Sequence, residues 1–417
     1  MRAAVFDSAS RRLSLEDVPT PEPGPDEVVV RVAACGICLS DVHLIDGTLP
    51  TPLPRVIPGH EPAGVIERVG SDVPDYWQPG RRVLMAAGKP CGECQNCVAL
   101  GDPSRCMSFL VMGFGFDGAW AEYVVVPWLA LVEVPEEIPL EQAAILADAV
   151  STPYAALVER AAVRPAESVG LWGIGGLGVH AVQIARMVGA APIIALDPSP
   201  AARSRALEFG ADHALDPRDD GIVQEVWRLT EDRGLDVALD LFGSNQVLVQ
   251  ADQCIGRRGR VVIVGLSAEQ IHLGPNALFG VMSHSLLGHL GYAKEHLLQL
   301  VRLVASGRLD PEVVVVQAPV VLEPLEEAVD LLRRVLDHAF CTERLHVSIA
   351  VAVSSSRFIA SASASAPDSG RIMTKNSSIR PFSSKWRKSH PSSSRSPIRA
   401  LNTSARSRSP SSPISRS

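Results

Sequence analysis

The sequence predicts an α/β protein: a β-rich first domain, a doubly wound parallel sheet after it, and a disordered C-terminal tail. Three observations carry that expectation. Short β-branched runs broken by Gly and Pro fill the chain to about residue 150, a strand, Gly-rich turn, helix and strand follow one another from residue 167, and the composition turns abruptly to Ser, Arg and Pro from Ser354. At 417 residues, 46% hydrophobic and 20% charged, the chain has the length and composition for two ordinary cores. No run approaches the roughly 20 apolar residues of a membrane span, and the start MRAAVFDSASRRLSLED lacks the apolar stretch of a secretory signal. The expectation is a soluble, cytoplasmic protein with no membrane partner.

Taken in order, residues 27–33 (EVVVRVA) alternate and are β-branched, as a strand requires. Residues 168–174 (SVGLWGI) form a strand that runs into Gly173-Ile174-Gly175-Gly176-Leu177-Gly178, followed by the helical run VHAVQIARMVGA and a second strand, PIIALD. Further strands are expected at residues 236–242 (DVALDLF) and 260–266 (RVVIVGL), and residues 322–336 have apolar positions at helical spacing. These elements divide the chain at 1–155, 156–290 and 291–350, with the tail at 351–417. That tail holds twelve Lys or Arg and one acid, Asp368, a net +11 that leaves residues 1–350 at −18. It has too few apolar residues to offset the entropy of ordering.

The glycine turn has a specific chemistry. Gly173, Gly175 and Gly178 satisfy G-x-G-x-x-G between a strand and a helix: one glycine permits the tight turn, one lets the backbone approach a pyrophosphate, and one lets helix and strand pack closely. Gly176 and Leu177 open the helix, whose free N–H groups and dipole favour phosphate. Asp197 ends the second strand, where a carboxylate accepts from both ribose hydroxyls and repels a 2′-phosphate. NAD is therefore expected before NADP, with Arg203 and Arg205 nearby as the counter-argument.

The eight cysteines are unevenly placed. Cys91, Cys94 and Cys97 stand at two-residue gaps with Cys106 on the same stretch, a set that can close a tetrahedron around zinc and leave no open position. Cys38, His60 and Asp148 are spread along the chain and are individually weak signals, but together make a three-ligand set with a fourth position for water or substrate. Two zinc ions per chain are expected.

The ordered motifs CGICLSDVH, GHEPAGVIERVG, CGECQNC, GIGGLG and GLDVALDLFGS resemble the zinc-containing medium-chain dehydrogenase/reductase family, the alcohol, polyol and threonine dehydrogenases, over about residues 1–340. The resemblance implies a GroES-like catalytic domain built from both ends of the chain, a Rossmann domain between them, and an active site in the cleft. It also implies that Cys38, His60 and Asp148 hold the catalytic zinc, with Glu61 able to approach the metal and Asp41 orienting His60. Ser40 would take the alcohol proton, His43 would end the relay, and Thr152 would lie against the nicotinamide. The implied reaction is hydride transfer between an alcohol and NAD. Ala86 and Ala87, small where relatives are often bulky, together with Met85, Trp120 and Leu49, suggest a secondary, cyclic or polyol substrate. A homodimer or homotetramer is expected.

Three features depart from the family pattern. Eight residues separate Cys97 from Cys106, one more than usual, so the loop must bulge or find another fourth ligand. Cys35 lies outside the ligand position and reads as a core thiol. The chain also lacks the usual closing Gly-Arg-hydrophobic strand: AFCTERLHVSIAVAV runs straight into the tail, as a shifted reading frame would produce, with Arg344 and LHVSIAV standing where the phosphate-contacting Arg and last strand would be. The competing readings are a zinc-free quinone or enoyl reductase, which the metal ligands oppose, and nucleic-acid binding through the basic tail, which no recognition motif supports.

Overall fold

The computed structural model describes residues 1–311 and three short strands, Val320–Leu322, Ile349–Ala352 and Phe358–Ala360. The first half is built on antiparallel strands. Arg2–Asp7 pairs with Arg12–Asp17 and Arg55–Val56. A six-stranded sheet then runs Leu131–Glu133, Arg82–Met85, Glu61–Val69, Glu27–Ile37, Ile349–Ala352, with Tyr123–Pro127 also on Glu27–Ile37. The strand expected at residues 27–33 extends four residues further, to Ile37. Its pairing with Glu61–Val69 shifts register at two places and ends on Gly36↔Glu61. Such irregularities re-aim side chains next to functional sites. Here the pairing sets the chain just after Ile37 beside the chain just before Glu61.

The second half is a six-stranded sheet in the order His213–Leu215, Ile193–Leu196, Val169–Trp172, Leu235–Asp240, Ile255–Ile263, Ser285–Gly288. Every neighbouring pair is parallel. Near-continuous apolar runs such as IIAL and VGLW, buried throughout, are what two helix-covered faces demand. The strand order reverses between Val169–Trp172 and Leu235–Asp240, which opens the crevice in which such sheets bind ligands.

A helical stretch over residues 140–160 joins the two halves, and one apolar core runs through it. Ala63 and Leu84 of the first sheet, Ile145 and Leu146 of the stretch, and Leu171 and Ile193 of the second sheet belong to the same buried cluster. The stretch is not a uniform α-helix: Leu146–Val150 and Ala155–Arg160 are π-helical. π turns inside helices recur at functional sites, and the first of these carries Asp148.

The chain returns to its first half at Ile349–Ala352, which pairs antiparallel with Glu27–Ile37 through Ile349↔Ile37 and Ala352↔Ala34. The strand therefore crosses the boundary drawn at residue 350, and Phe358–Ala360 pairs with Val320–Leu322 inside the stretch expected to be tail. IAVA and FIA are apolar enough to add to a sheet even though Ser and Arg surround them. The helix expected at residues 322–336 lies outside the described residues except for Leu322, which ends a strand. Cys341, Arg344 and residues 361–417 lie outside them too. Among the described residues no helix is long and apolar enough to cross a membrane.

Candidate active site and metal centres

Cys38, His60, Glu61 and Asp148 each bring one ligand atom within 4.8 Å of the others. Three separate segments supply them. Cys38 follows the long strand and starts the helix Leu39–Asp46, and its backbone N–H donates to Asp41 Oδ2 at 2.9 Å, which fixes the turn. His60 and Glu61 open the paired strand, and Asp148 comes from the π turn. His60 Nδ1 lies 3.2 Å from Asp41 Oδ1, an ion-pair contact rather than an aligned hydrogen bond, while Nε2 faces Asp148 Oδ2 at 3.5 Å. Asp41 thus holds one ring nitrogen and leaves the other toward the cluster, as a metal-binding histidine requires.

The charges explain why a cation belongs there. Burial, and then the Asp148 charge, pushes the Cys38 thiol up to about 12 and Glu61 well above the usual carboxylate range. Burial alone would depress His60, but the Asp41 charge and bonds from Asp148 and Asp41 outweigh it and raise it. Burial opposes ionisation of Asp148 as well, yet its hydrogen bond and attraction to His60 hold it below the usual range. Cys38, Glu61 and the partly buried Asp148 crowd one histidine that Asp41 already faces. Such a donor set is costly without a positive charge and fits a divalent ion with nitrogen, sulfur and oxygen ligands.

Ser40 Oγ lies 3.2 Å from His60 Nε2, at the same place. Thr152 donates its hydroxyl to Asp148 Oδ1, so it orients that carboxylate in addition to any role toward a cofactor. His43 stands apart, its Nδ1 buried without a hydrogen bond and 3.5 Å from Asp46 Oδ2. Gly36 was not singled out by sequence, and the structure gives it a purpose: a Cβ there would meet Glu61 Oε2 at 2.0 Å. The missing side chain makes room for the carboxylate. Met85 and Trp120, expected to help line a pocket, are buried in the first half's core, and the Trp120 indole donates to the Gly36 carbonyl at 3.3 Å. Cys35 is fully buried, the core thiol that was expected.

Cys91, Cys94, Cys97 and Cys106 form the other cluster. The sulfurs of Cys94 and Cys97 are 3.5 Å apart, those of Cys94 and Cys106 3.9 Å, and those of Cys106 and Cys91 3.4 Å. Thiolates about 2.3 Å from a tetrahedral zinc lie about 3.8 Å from one another, so the set fits the ion. The extra residue before Cys106 is taken up by a 3-10 turn, Pro103–Arg105, closed by Asn96 donating to the Arg105 carbonyl at 2.6 Å. The loop bulges and keeps its fourth cysteine. An N–H from the Cys97 backbone leads the effects that lower Cys94 to about 6, whereas burial pushes Cys97 up to about 12.

At the parallel sheet, Gly173 has φ +94°, a conformation that favours glycine. Gly175 caps the helix Gly176–Val188, of which Leu177 forms part of the first turn, and a Cβ at Gly178 would meet the Gly173 carbonyl at 2.0 Å. The cradle is tight enough for backbone to approach a phosphate. Asp197 is 1% exposed, with Oδ2 accepting from Ile174 N–H and Oδ1 from Ser199 N–H, both at 2.7 Å. It therefore braces the turn it was expected to serve through ribose. Arg203 donates to the Asp197 carbonyl at 2.7 Å and to Asp216 at 3.1 Å, and Arg205 donates to the Ile174 carbonyl at 3.3 Å, so both arginines have protein partners.

Family models for the alcohol dehydrogenase GroES-like domain and for zinc-binding dehydrogenase match residues 24–136 and 176–306. An NAD-dependent alcohol dehydrogenase of Saccharolobus solfataricus is 32% identical over 342 residues, covering 80% of this chain and 96% of the relative. An L-threonine 3-dehydrogenase of Pyrococcus horikoshii is 31% identical over 76% of this chain and 91% of its own. The solved alcohol dehydrogenase of Thermus sp. ATN1 superposes with a TM-score of 0.74 at 31% identity, over 85% of this chain and all of that one, 100%. Fold, ligand sets and these likenesses agree: the chain belongs to the zinc-containing medium-chain dehydrogenase/reductase family.

Proposed function

We propose that the chain oxidises a secondary, cyclic or polyol alcohol with NAD, and that it holds two zinc ions, a catalytic one on Cys38, His60 and Asp148 with Glu61 beside it, and a structural one on Cys91, Cys94, Cys97 and Cys106. The observation that carries this reading is the buried convergence of Cys38, His60, Glu61 and Asp148. Alcohol and NAD become carbonyl compound, NADH and one proton, the reaction of dehydrogenases like those it resembles. Zinc, when bound, supplies Lewis acidity toward the alcohol oxygen. The chain's own residues do the rest. Asp41 orients His60, Thr152 orients Asp148, and Ser40, beside the ligand atoms, accepts the hydroxyl proton and passes it outward toward His43. The turn at residues 173–178 seats the pyrophosphate, and the carboxylate of Asp197 disfavours a 2′-phosphate, which supports NAD over NADP.

We further infer a homo-oligomer, dimer or tetramer. Ser285–Gly288 is the outer strand of the parallel sheet, and exposed Leu278, Val281 and Leu290 flank it. An edge bordered by apolar surface favours pairing with a second copy. The function is tested by following NADH formation over primary, secondary, cyclic and polyol alcohols at fixed NAD or NADP. Turnover of secondary or cyclic alcohols with NAD is expected; no turnover of any alcohol, or better use of NADP, contradicts it.

A further inference from the structure

The loop between Ser285–Gly288 and the helix Lys294–Ala305 touches the joining stretch once and the first half of the chain twice. His289 Nε2 donates to the Thr152 carbonyl at 3.1 Å, the Tyr292 hydroxyl accepts from Ala87 N–H at 3.2 Å, and Lys294 Nζ donates to the Leu129 carbonyl at 2.6 Å. Tyr292 is the central one of the three. Ala87 lies two residues past the strand Arg82–Met85, whose pairing Ala63↔Leu84 leads toward His60 and Glu61 on the neighbouring strand. The Tyr292 hydroxyl lies close enough to feel the charges of Asp148, His60 and Glu61.

This placement changes how Ala86 and Ala87 are read. Ala86 and Tyr292 border the same apolar core, and the Tyr292 hydroxyl takes the Ala87 N–H, so the phenol comes to these small residues from the other half of the chain. Its hydroxyl oxygen is engaged by Ala87, but among the described residues its proton meets no acceptor. A phenol donates as well as accepts, and a site built to donate to a substrate oxygen rejects the analogue that lacks it.

We propose that Tyr292 determines substrate specificity by donating its hydroxyl proton to a second oxygen of the substrate, next to the carbinol carbon, so that vicinal diols are preferred over the corresponding simple alcohols. This rests on the metal and nucleotide sites described above and narrows the substrate class they serve. The diol loses one carbinol hydride to NAD and one proton to solvent and leaves as the α-hydroxy ketone, its second oxygen unchanged.

The test compares trans-cyclohexane-1,2-diol with cyclohexanol, using NAD and the intact zinc-loaded chain. The parent enzyme is expected to favour the diol in kcat/KM by roughly tenfold, the worth of one good hydrogen bond. Tyr292→Phe should erase most of that ratio, lowering kcat/KM for the diol far more than for cyclohexanol and chiefly through the diol's KM. Tyr292→Ala should raise turnover of bulkier cyclic alcohols by opening the space. A parent enzyme without diol preference overturns the proposal, as does a Tyr292→Phe variant that slows both substrates equally, which would make Tyr292 only a link between the two halves. If the parent enzyme reduced NAD with neither alcohol nor any other, the reading of the active site would fall too, a result distinct from a lost preference.

Discussion

The two metal clusters are built in opposite ways. The four cysteines lie within 16 residues on a half-exposed loop, and that loop supplies its own turn and closing hydrogen bond. Cys38, His60, Glu61 and Asp148 come from three segments spread over more than 100 residues, lie in the interior, and depend on Asp41, Thr152 and Gly36 to hold them. A closed set on one loop needs only local spacing. An open set needs the whole fold, because one coordination position must face substrate while the rest are shielded from water. Damage to the first should cost stability, and damage to the second should cost chemistry.

The largest effect is expected for Asp148→Ala. It removes a proposed ligand outright, so alcohol oxidation should fall by more than the roughly 10- to 100-fold typical of losing an outer partner of a metal ligand. NADH binding, followed by its fluorescence, should persist, since the polar partners of Asp148 are Thr152 and His60 and not the glycine turn. An Asp148→Ala enzyme with normal turnover would move the third ligand elsewhere, with Glu61 the first candidate.

Cys94→Ser addresses the other side of the contrast. Structural zinc contributes directly to folding free energy, so the variant should melt at least several degrees lower. Turnover per intact active site should stay near the parent's. Equal melting temperatures would show that the cysteine loop is stable without a metal.

Gly36→Ala sharpens the comparison, because it leaves every ligand in place and disturbs only the space that Glu61 occupies. A forced methyl in a packed interior costs about 1–3 kcal/mol, and the displaced carboxylate should lower kcat more than it raises KM for NAD. Unchanged kinetics would mean that Glu61 has no part in the reaction.

Asp240 offers a buried carboxylate without metal ligands beside it. It accepts from Phe242 and Gly243 N–H, yet burial raises it to about 6 from its ordinary 3.8. The folded chain therefore holds this proton more tightly than the unfolded chain, and the parent loses stability as pH rises from about 4 through 6, with the full cost present above that. Asp240→Asn cannot ionise. Its stability relative to the parent should grow over that window and level off at no more than about 3 kcal/mol. Denaturant midpoints at pH 5 and pH 8 check this, and a pH-independent difference would contradict it.

What was legible in the sequence follows the same divide. The cysteine spacing, the glycine turn and the alternation of strands and helices are local patterns, and the structure puts each where it was expected. The convergence of Cys38 with Asp148 is not local: the residue types made a weak case for it that the resemblance strengthened, and the π turn at Leu146–Val150 that aims Asp148 leaves no mark in composition. Tyr292 was missed because it reaches Ala87 from 205 positions away.

The most direct test of the account is zinc content per chain in the parent, Asp148→Ala and Cys94→Ser proteins, each dialysed against the same weak chelator. Two independent sites predict two zinc ions in the parent and one in each variant, with alcohol oxidation lost only in Asp148→Ala. One zinc or none in the parent, or loss of both ions from a single substitution, would contradict the claim that this chain carries one open and one closed metal centre.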